Sequence, residues 1–563
     1  MTALQDTTHH TSRWRQLAWI LLAAVLLNFL LSFSNVWPTA LVWPALRLAP
    51  EFVALWVVLL CLVWAGGRVG PGMLALLSSL FLLLTIGHYT DVTVRALLGR
   101  PFNVYWDGYQ LPTFLGVVSQ ALTGWQIAGF FVALGVGLWL LFRLIRICTR
   151  ILAEQAAPRA VRSPLMLFST LVAVVLVVVG LAGGGPAGSV IVRPVTPLYA
   201  HQAGLLLNAF VPSRRAKVLP PSPSLASDLQ VLDGAEVKLL FLESYGATTY
   251  DRPEIAAPID AARARLVEAA KAQGRQVLTG FVRAATFGGA SDLSHLSLLS
   301  GIDLSDPLRH DVLLESDRPT LLDTFGQAGY RTIGLYPAMS WDWPEKAFYG
   351  FEHYLDAPDL GYRGPAFGLW WLPDQFTMAR IDQIHPPDPD GRPRFLFYPT
   401  ISSHIPFRPT PPYQPDWSRV TSDHPFDDAT AAAALADGLG WNDLASAYVR
   451  SIAYTFEWLA GYQALPQRRE SVVILLGDHQ PSSSVSGPGA SWDVPVHVVT
   501  SNPLIADRLR EYGFSDQVNR RRPALGHVSE LTRVLLSVFD GATVPVGRPD
   551  AWSALGDMPG DAG

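Results

Sequence analysis

The chain has 563 residues, too many for one ordinary domain, and half of them are hydrophobic, with the apolar mass concentrated at the front. The formal net charge of -5 gives no electrostatic footprint for nucleic acid. Only two cysteines are present, Cys61 and Cys148, so no intramolecular disulfide forms within the C-terminal two-thirds, and that part is held by packing.

Five apolar segments come first: Leu17–Phe33, Phe52–Ala65, Gly72–Ile86, Ile127–Phe142 and Leu165–Gly183. A full crossing needs about 20 largely apolar residues. The second and third are short and read as a tight helical hairpin. Together the five predict a multi-span α-helical membrane domain over residues 1–185. Arg13 and Arg15 precede the first segment, and Arg143, Arg146, Arg150, Arg159 and Arg162 fill the connection between the fourth and fifth. The positive-inside rule puts both regions in the cytoplasm and the C-terminal two-thirds outside. The first segment reads as an uncleaved anchor, since its apolar run is long for a signal peptide and more follow. Between His88 and Trp125 the chain carries Tyr89, Phe102, Tyr105, Trp106, Tyr109 and Phe114. This stretch reads either as an ordinary loop or as an interfacial segment along which a lipid approaches.

Residues 186–236 form a connector with an apolar patch, Ala203–Phe210, and a Pro/Ser spacer, Leu219–Ser227. From residue 237 to 546 strands and helices alternate. Strands are expected at Val237–Leu242, Val277–Val282, Arg331–Tyr336, Arg394–Tyr398, Val472–Leu476 and Val496–Thr500. Helices are expected at Ala257–Gln273, Ser291–Leu299, Thr320–Ala328, Asp374–Ile384, Leu444–Ala464, Leu504–Tyr512 and Val528–Phe539. The rhythm predicts an α/β sandwich with a mainly parallel central sheet. Pro406–Trp417 reads as a surface loop and residues 547–563 as a frayed tail.

Parallel sheets collect ligands at the carboxyl ends of their strands. Glu243 follows the strand Lys238–Leu242 there, and Gly477-Asp478-His479 follows Val472–Leu476. Carboxylate and imidazole side chains are ligands for hard and borderline cations. Between strand and helix lies Thr286-Phe287-Gly288-Gly289-Ala290-Ser291-Asp292-Leu293-Ser294. Ser291 suits a helix cap, with Asp292 in the first turn. Capping is the simpler reading; a nucleophile needs more, a helix N-terminus that receives phosphate and a metal, supplied by Glu243, Asp478 and His479, that lowers the hydroxyl pKa. His295, four residues on, reads as structural, and His497 as a satisfied core residue. His353 and His527 have no stronger claim.

The set Phe-Leu-Glu243-Ser, Gly-Gly-Ala-Ser291, Ser-Ser-His404-Ile-Pro-Phe and Gly-Asp478-His479 resembles the sulfatase-like branch of the alkaline phosphatase superfamily. It looks most like the membrane phosphoglycerol and phosphoethanolamine transferases, the lipoteichoic acid synthases among them. The resemblance covers nearly the whole chain. It implies one divalent ion, Zn²⁺ or Mn²⁺, held by Glu243, Ser291, Asp478 and His479, with Ser291 as nucleophile and His404 as a phosphate or head-group ligand. It implies a bacterial inner-membrane protein with its catalytic domain outside, a phospholipid donor, and a glycan, lipid or polymer acceptor. Two departures stand out. The family nucleophile is threonine, and a register placing Ala290 there leaves none; Thr286 and Ser294 are further alternatives. A Trp-Asn-Arg head-group element is matched only by Trp341-Asp342-Trp343, with Lys346 as a substitute charge. Hydrolysis by the same site and a catalytically dead membrane-anchored scaffold are the competing readings. A formylglycine sulfatase is disfavoured, because Ser291 is followed by Asp-Leu-Ser-His rather than x-Pro-x-Arg.

Overall fold

The structure, a computed structural model, describes residues 2–66, 68–111, 123–155, 164–182, 190–339, 343, 345–388, 391–542 and 552. Contacts divide the chain into two compact units. One comprises Met1–Ala96 with Pro101–Val211, the other Pro212–Gly563 with Leu97–Arg100.

The first unit contains α1 (Thr2–Phe29), α2 (Pro50–Gly66), α3 (Pro71–Leu98), α4 (Gly124–Gln155), α5 (Pro164–Leu181) and α6 (Thr196–Phe210). Two of them, α3 and α4, are long and apolar enough to cross a membrane; the apolar stretches Trp14–Phe29, Pro50–Ala65 and Leu167–Leu181 are shorter. The expected hairpin is therefore unequal. The third apolar segment does not stop at Ile86 but continues as helix to Leu98, taking in the start of the aromatic stretch. The fourth does not stop at Phe142 either: Arg143, Arg146 and Arg150 lie on α4 rather than in a loop. Hydropathy marks where apolar side chains end, whereas a helix continues for as long as its backbone ladder does. Residues 112–122 and 156–163, with Phe114, Arg159 and Arg162, lie outside the described residues. The core of this unit joins Leu27, Leu59, Phe81, Ile145 and Leu152. The outer surface of α4 exposes Phe130, Phe131, Val132, Trp139 and Leu140.

In the second unit the strands are β1 (Glu236–Leu242), β2 (Gln276–Arg283), β3 (Arg331–Tyr336), β4 (His353–Asp356), β5 (Arg394–Pro399), β6 (Ser471–Gly477) and β7 (Asp493–Thr500). They form one sheet in the order β2-β7-β6-β1-β5-β3-β4. β1 pairs in parallel with β5 and β6, and β3 with β4 and β5, while β7 runs antiparallel to β2 and β6. This is the expected α/β body with a mostly parallel sheet. The edge strand β4 is absent from the expected set because His353-Tyr354-Leu355-Asp356 offers only four residues and no apolar run. β7 begins three residues earlier than expected.

Alternation along the strands feeds both faces of the sheet. Val237, Leu239 and Phe241 point to one side with Val472, Ile474 and Leu476. Leu240 and Leu242 point to the other with Val473 and Leu475. The first face is covered by α8 (Ser291–Ser300), α9 (Leu321–Gln327), α12 (Pro503–Glu511) and α13 (Val528–Phe539). The second is covered by α7 (Pro253–Ala272), α10 (Asp374–Ile384) and α11 (Leu444–Ala464). The carboxyl ends of β1, β5 and β6 are thus adjacent, where a ligand site is expected.

Candidate metal and phosphoryl-transfer site

The last residue of β6, Gly477, lets the next loop pass. A Cβ there would lie 1.9 Å from the Tyr245 carbonyl oxygen, so only glycine fits. Beyond it, Asp478 and His479 are buried beside Glu243. One carboxylate oxygen from each acid and one ring nitrogen of His479 all lie within 4.8 Å of one another. The Asp478 Oδ1 accepts the N–H groups of Ser244 (2.8 Å) and His479 (2.7 Å). Ser244 Oγ donates to Glu243 Oε1 (2.7 Å). The His479 Nδ1 faces the Gln480 carbonyl at 2.7 Å, which fixes the proton on Nδ1 and leaves Nε2 free to accept or ligate.

The approach to α8 is made by three successive residues with positive φ: Gly288 (+69°), Gly289 (+144°) and Ala290 (+60°). An alanine in the left-handed region costs about 1–2 kcal/mol, and such strain clusters at functional sites. Ala290 is the N-cap, and no side chain caps the helix. Ser291 is therefore not the cap. Its Oγ lies 3.1 Å from His479 Nε2 and 3.5 Å from Glu243 Oε2. Of the candidate registers, it is Ser291 and not Ala290 that meets Glu243 and His479. Thr286 Oγ1 donates to the Gly289 carbonyl inside the turn, and Ser294 Oγ accepts from the Ala285 N–H. Both alternatives are engaged elsewhere.

Burial first, and the neighbouring Asp478 carboxylate second, push the Glu243 pKa well above its ordinary value. Among the described residues no lysine or arginine pairs with Glu243 or Asp478; only His479 approaches them, at 3.7 and 3.5 Å. Two buried acids without a balancing cation are costly. The donor set of carboxylate oxygens, an imidazole nitrogen and a serine oxygen fits one divalent ion such as Zn²⁺ or Mn²⁺.

His404 sits on the loop after β5. Its Nδ1 contacts the Ile405 carbonyl at 2.7 Å, so Nε2 is the free nitrogen, and the Trp370 ring packs edge-on at 5.5 Å. Burial lowers its pKa, and it feels the charges of His479 and Asp478. Trp341 lies outside the described residues. Trp343 is buried against Tyr336 and Tyr349. Lys346 directs its ammonium over the Tyr354 ring, 5.2 Å from the centroid. His295 is buried against Phe241 and Phe397. His497 is satisfied in the core, 3.0 Å from Tyr245 Oη and 2.8 Å from Thr279 Oγ1. Sequence reasoning missed the residues that hold the loops: Asp374, Thr400, Ser403, Tyr448 and Gln480. Their side chains bond to backbone groups far away in sequence, a relation that no local pattern carries.

A wound α/β sheet thus brings two acids, a histidine and a helix-borne serine together at its carboxyl edge. Residues 241–506 match the family model described as Sulfatase. This domain is therefore a sulfatase-like enzyme domain. Similar solved structures include the lipoteichoic acid synthase LtaP from Listeria monocytogenes (13% identity, 50% of this chain and 68% of that one, TM-score 0.34). Others are the Streptococcus pyogenes phosphoglycerol transferase GacH in complex with sn-glycerol-1-phosphate (15%, 58% and 78%, 0.34) and the C-terminal periplasmic domain of EcEptC from Escherichia coli in complex with Zn (16%, 56% and 84%, 0.35). No curated protein matches the chain.

Proposed function

We propose that this protein is a membrane-anchored, metal-dependent transferase that moves a phospho-alcohol head group, phosphoglycerol or phosphoethanolamine, from a phospholipid to an acceptor hydroxyl outside the cytoplasmic membrane. The observation that carries this reading is the position of Ser291. Its hydroxyl leaves the helix terminus uncapped and faces His479 Nε2 and Glu243 Oε2. Glu243, Asp478, His479 and Ser291 would hold one Zn²⁺ or Mn²⁺. When bound, that ion lowers the serine pKa and neutralises charge on the phosphoryl oxygens.

In the first step Ser291 Oγ attacks phosphorus, the bond to the diacylglycerol oxygen breaks, and the phospho-alcohol becomes esterified to the serine. The N–H groups of the first turn of α8 face the phosphoryl oxygens. His404, whose Nδ1 is held by the Ile405 carbonyl, acts through Nε2: once protonated there it gives that proton to the leaving diacylglycerol oxygen, and the burial that disfavours the charged ring favours the release. In the second step the acceptor hydroxyl gives its proton to the now neutral His404 Nε2 and attacks phosphorus, and the bond to Ser291 Oγ breaks, the serine regaining from solvent the proton it released there in the first step. The five apolar helices of the first unit would anchor the enzyme where the donor lipid lies, and the exposed apolar surface of α4 supports this. Trp341 and Lys346 remain candidates for the head group.

The test uses the full chain in proteoliposomes with head-group-labelled phosphatidylglycerol or phosphatidylethanolamine. Diacylglycerol release and a Ser291 phospho-alcohol adduct in the mass spectrum are expected. Ser291→Ala should lower turnover at least about a thousandfold with the fold intact. Full turnover by that variant sinks the reading, and label released only as free phospho-alcohol turns it into a phosphodiesterase.

A further inference from the structure

The loop that carries His404 is held from two sides. On one side is Asp374, the first residue of α10 and fully buried. Its Oδ1 accepts the Tyr398 hydroxyl (2.6 Å) and the Ile401 N–H (2.8 Å), and its Oδ2 accepts the Ser402 N–H (3.0 Å). Its own N–H donates to Ser402 Oγ (3.0 Å). Among the described residues no basic side chain pairs with Asp374, so hydrogen bonds and the α10 N-terminus alone hold this charge.

On the other side the same loop grips Glu243. The Glu243 N–H donates to Thr400 Oγ1 (3.0 Å), and Ser403 Oγ donates to the Glu243 carbonyl (2.7 Å). Thr400 N–H donates to the Phe241 carbonyl one strand over (2.8 Å). Thr400 and Ser403 are both buried. Both polar backbone groups of Glu243 are thereby fixed by a loop whose shape Asp374 dictates.

We infer that Asp374 is the positioning residue of the site: through Thr400 and Ser403 it sets the Glu243 carboxylate for the ion, and through Ile401 and Ser402 it sets the His404 ring. This rests on the reading of Glu243 and His404 given above. Three small substitutions break this chain of contacts at different points. Asp374→Asn keeps volume but turns one acceptor into a donor facing the Ser402 N–H. Tyr398→Phe removes one bond to Asp374. Ser403→Ala removes the grip on the Glu243 carbonyl without touching Asp374.

The experiment titrates Zn²⁺ and Mn²⁺ against a competing chelator into the detergent-purified full chain, and measures kcat, KM and melting temperature of each variant. Outer hydrogen-bond partners of metal ligands typically contribute 10–100-fold in metal affinity. Asp374→Asn is expected to weaken affinity by about that factor and to lower kcat, with Ser403→Ala and Tyr398→Phe moving in the same direction by less. If Asp374→Asn does not fold, the two hydroxyl deletions decide. Variants that lose only melting temperature, with metal affinity and kcat unchanged, overturn the inference and leave the catalytic reading standing. A wild-type chain that binds neither ion and turns over no lipid overturns that reading itself.

Discussion

The two ends of strand β1 each bury a glutamate, and the two are treated in opposite ways. At the amino end Glu236 receives a bidentate Arg394 (2.6 and 2.9 Å) and Lys238 (3.2 Å). Arg394 also reaches Asp382 (2.9 Å), which accepts the Tyr462 hydroxyl (2.9 Å). Two cations meet two anions, and the cluster is closed. Burial works to raise the Glu236 pKa, but Arg394 and Lys238 outweigh it and hold it below the ordinary carboxylate value. At the carboxyl end, among the described residues, no lysine or arginine meets Glu243 or Asp478, and burial first and Asp478 second push Glu243 up. Burial alone therefore marks neither a structural nor a functional acid. The distinguishing feature is whether the protein supplies the counter-charge or leaves it to a ligand.

The largest expected effects break this contrast at the open end. Glu243→Gln, Asp478→Asn and His479→Ala should each lower lipid turnover at least about a thousandfold, with loss of bound ion measured by elemental analysis. The stability of the ion-free protein should not fall with Glu243→Gln, because the substitution relieves like-charge repulsion. A large drop in melting temperature in the presence of EDTA would instead make Glu243 a structural acid.

At the closed end the prediction reverses. Glu236→Gln leaves Arg394 and Lys238 buried with half their partner, which typically costs about 3–5 kcal/mol. Urea unfolding should show that loss, while the folded fraction keeps its ion affinity. Next in size comes the ion itself. At a free concentration of about one hundred times Kd, Zn²⁺ or Mn²⁺ should stabilise the wild type by about 2.7 kcal/mol. Glu243→Gln should show no such shift.

How much of this was legible in the sequence follows from the range of each interaction. The strands were readable because Leu239–Leu242 and Val472–Leu476 are unbroken apolar runs, and the acids at their ends follow directly. The parallel order put those ends together, which is a rule of the fold and not of any one residue. The sequence favoured Ser291 but left Ala290 open, because a resemblance without a matching threonine does not fix the register to the residue. The backbone decides it: Ala290 adopts the left-handed conformation, so the side chain that enters the site is the next one. The role of Asp374 had no signal at all. An aspartate at a helix start reads as a favourable first-turn charge, and its bonds to residues 398, 401 and 402 exist only once α10 packs beside β5. The lengths of α3 and α4 were misjudged for a related reason. Polar residues such as Asp91 and Arg143 interrupt hydropathy without interrupting a helix.

His497 offers the smallest and most specific probe, a third way of burying a titratable group. It is neither balanced by a charge nor open to a ligand but kept neutral. Burial first, and the Arg263 charge second, lower its pKa to about 3 from an ordinary 6.5. Its two nitrogens face Tyr245 and Thr279. The unfolded chain binds this proton below about pH 6.5 and the folded chain does not, so stability rises with pH across the window from 3 to 6.5 and is lost as pH falls through it. Between pH 6.5 and 5 the loss amounts to about 1.6 kcal/mol, since the slope reaches about 1.36 kcal/mol per unit only below the unfolded pKa. His497→Gln should flatten that part of the urea-midpoint profile and leave the ion affinity of the site unchanged at neutral pH. A profile that stays as steep as the wild type's would mean that the histidine is already charged in the folded protein, and would assign the acid sensitivity to the open acid cluster instead.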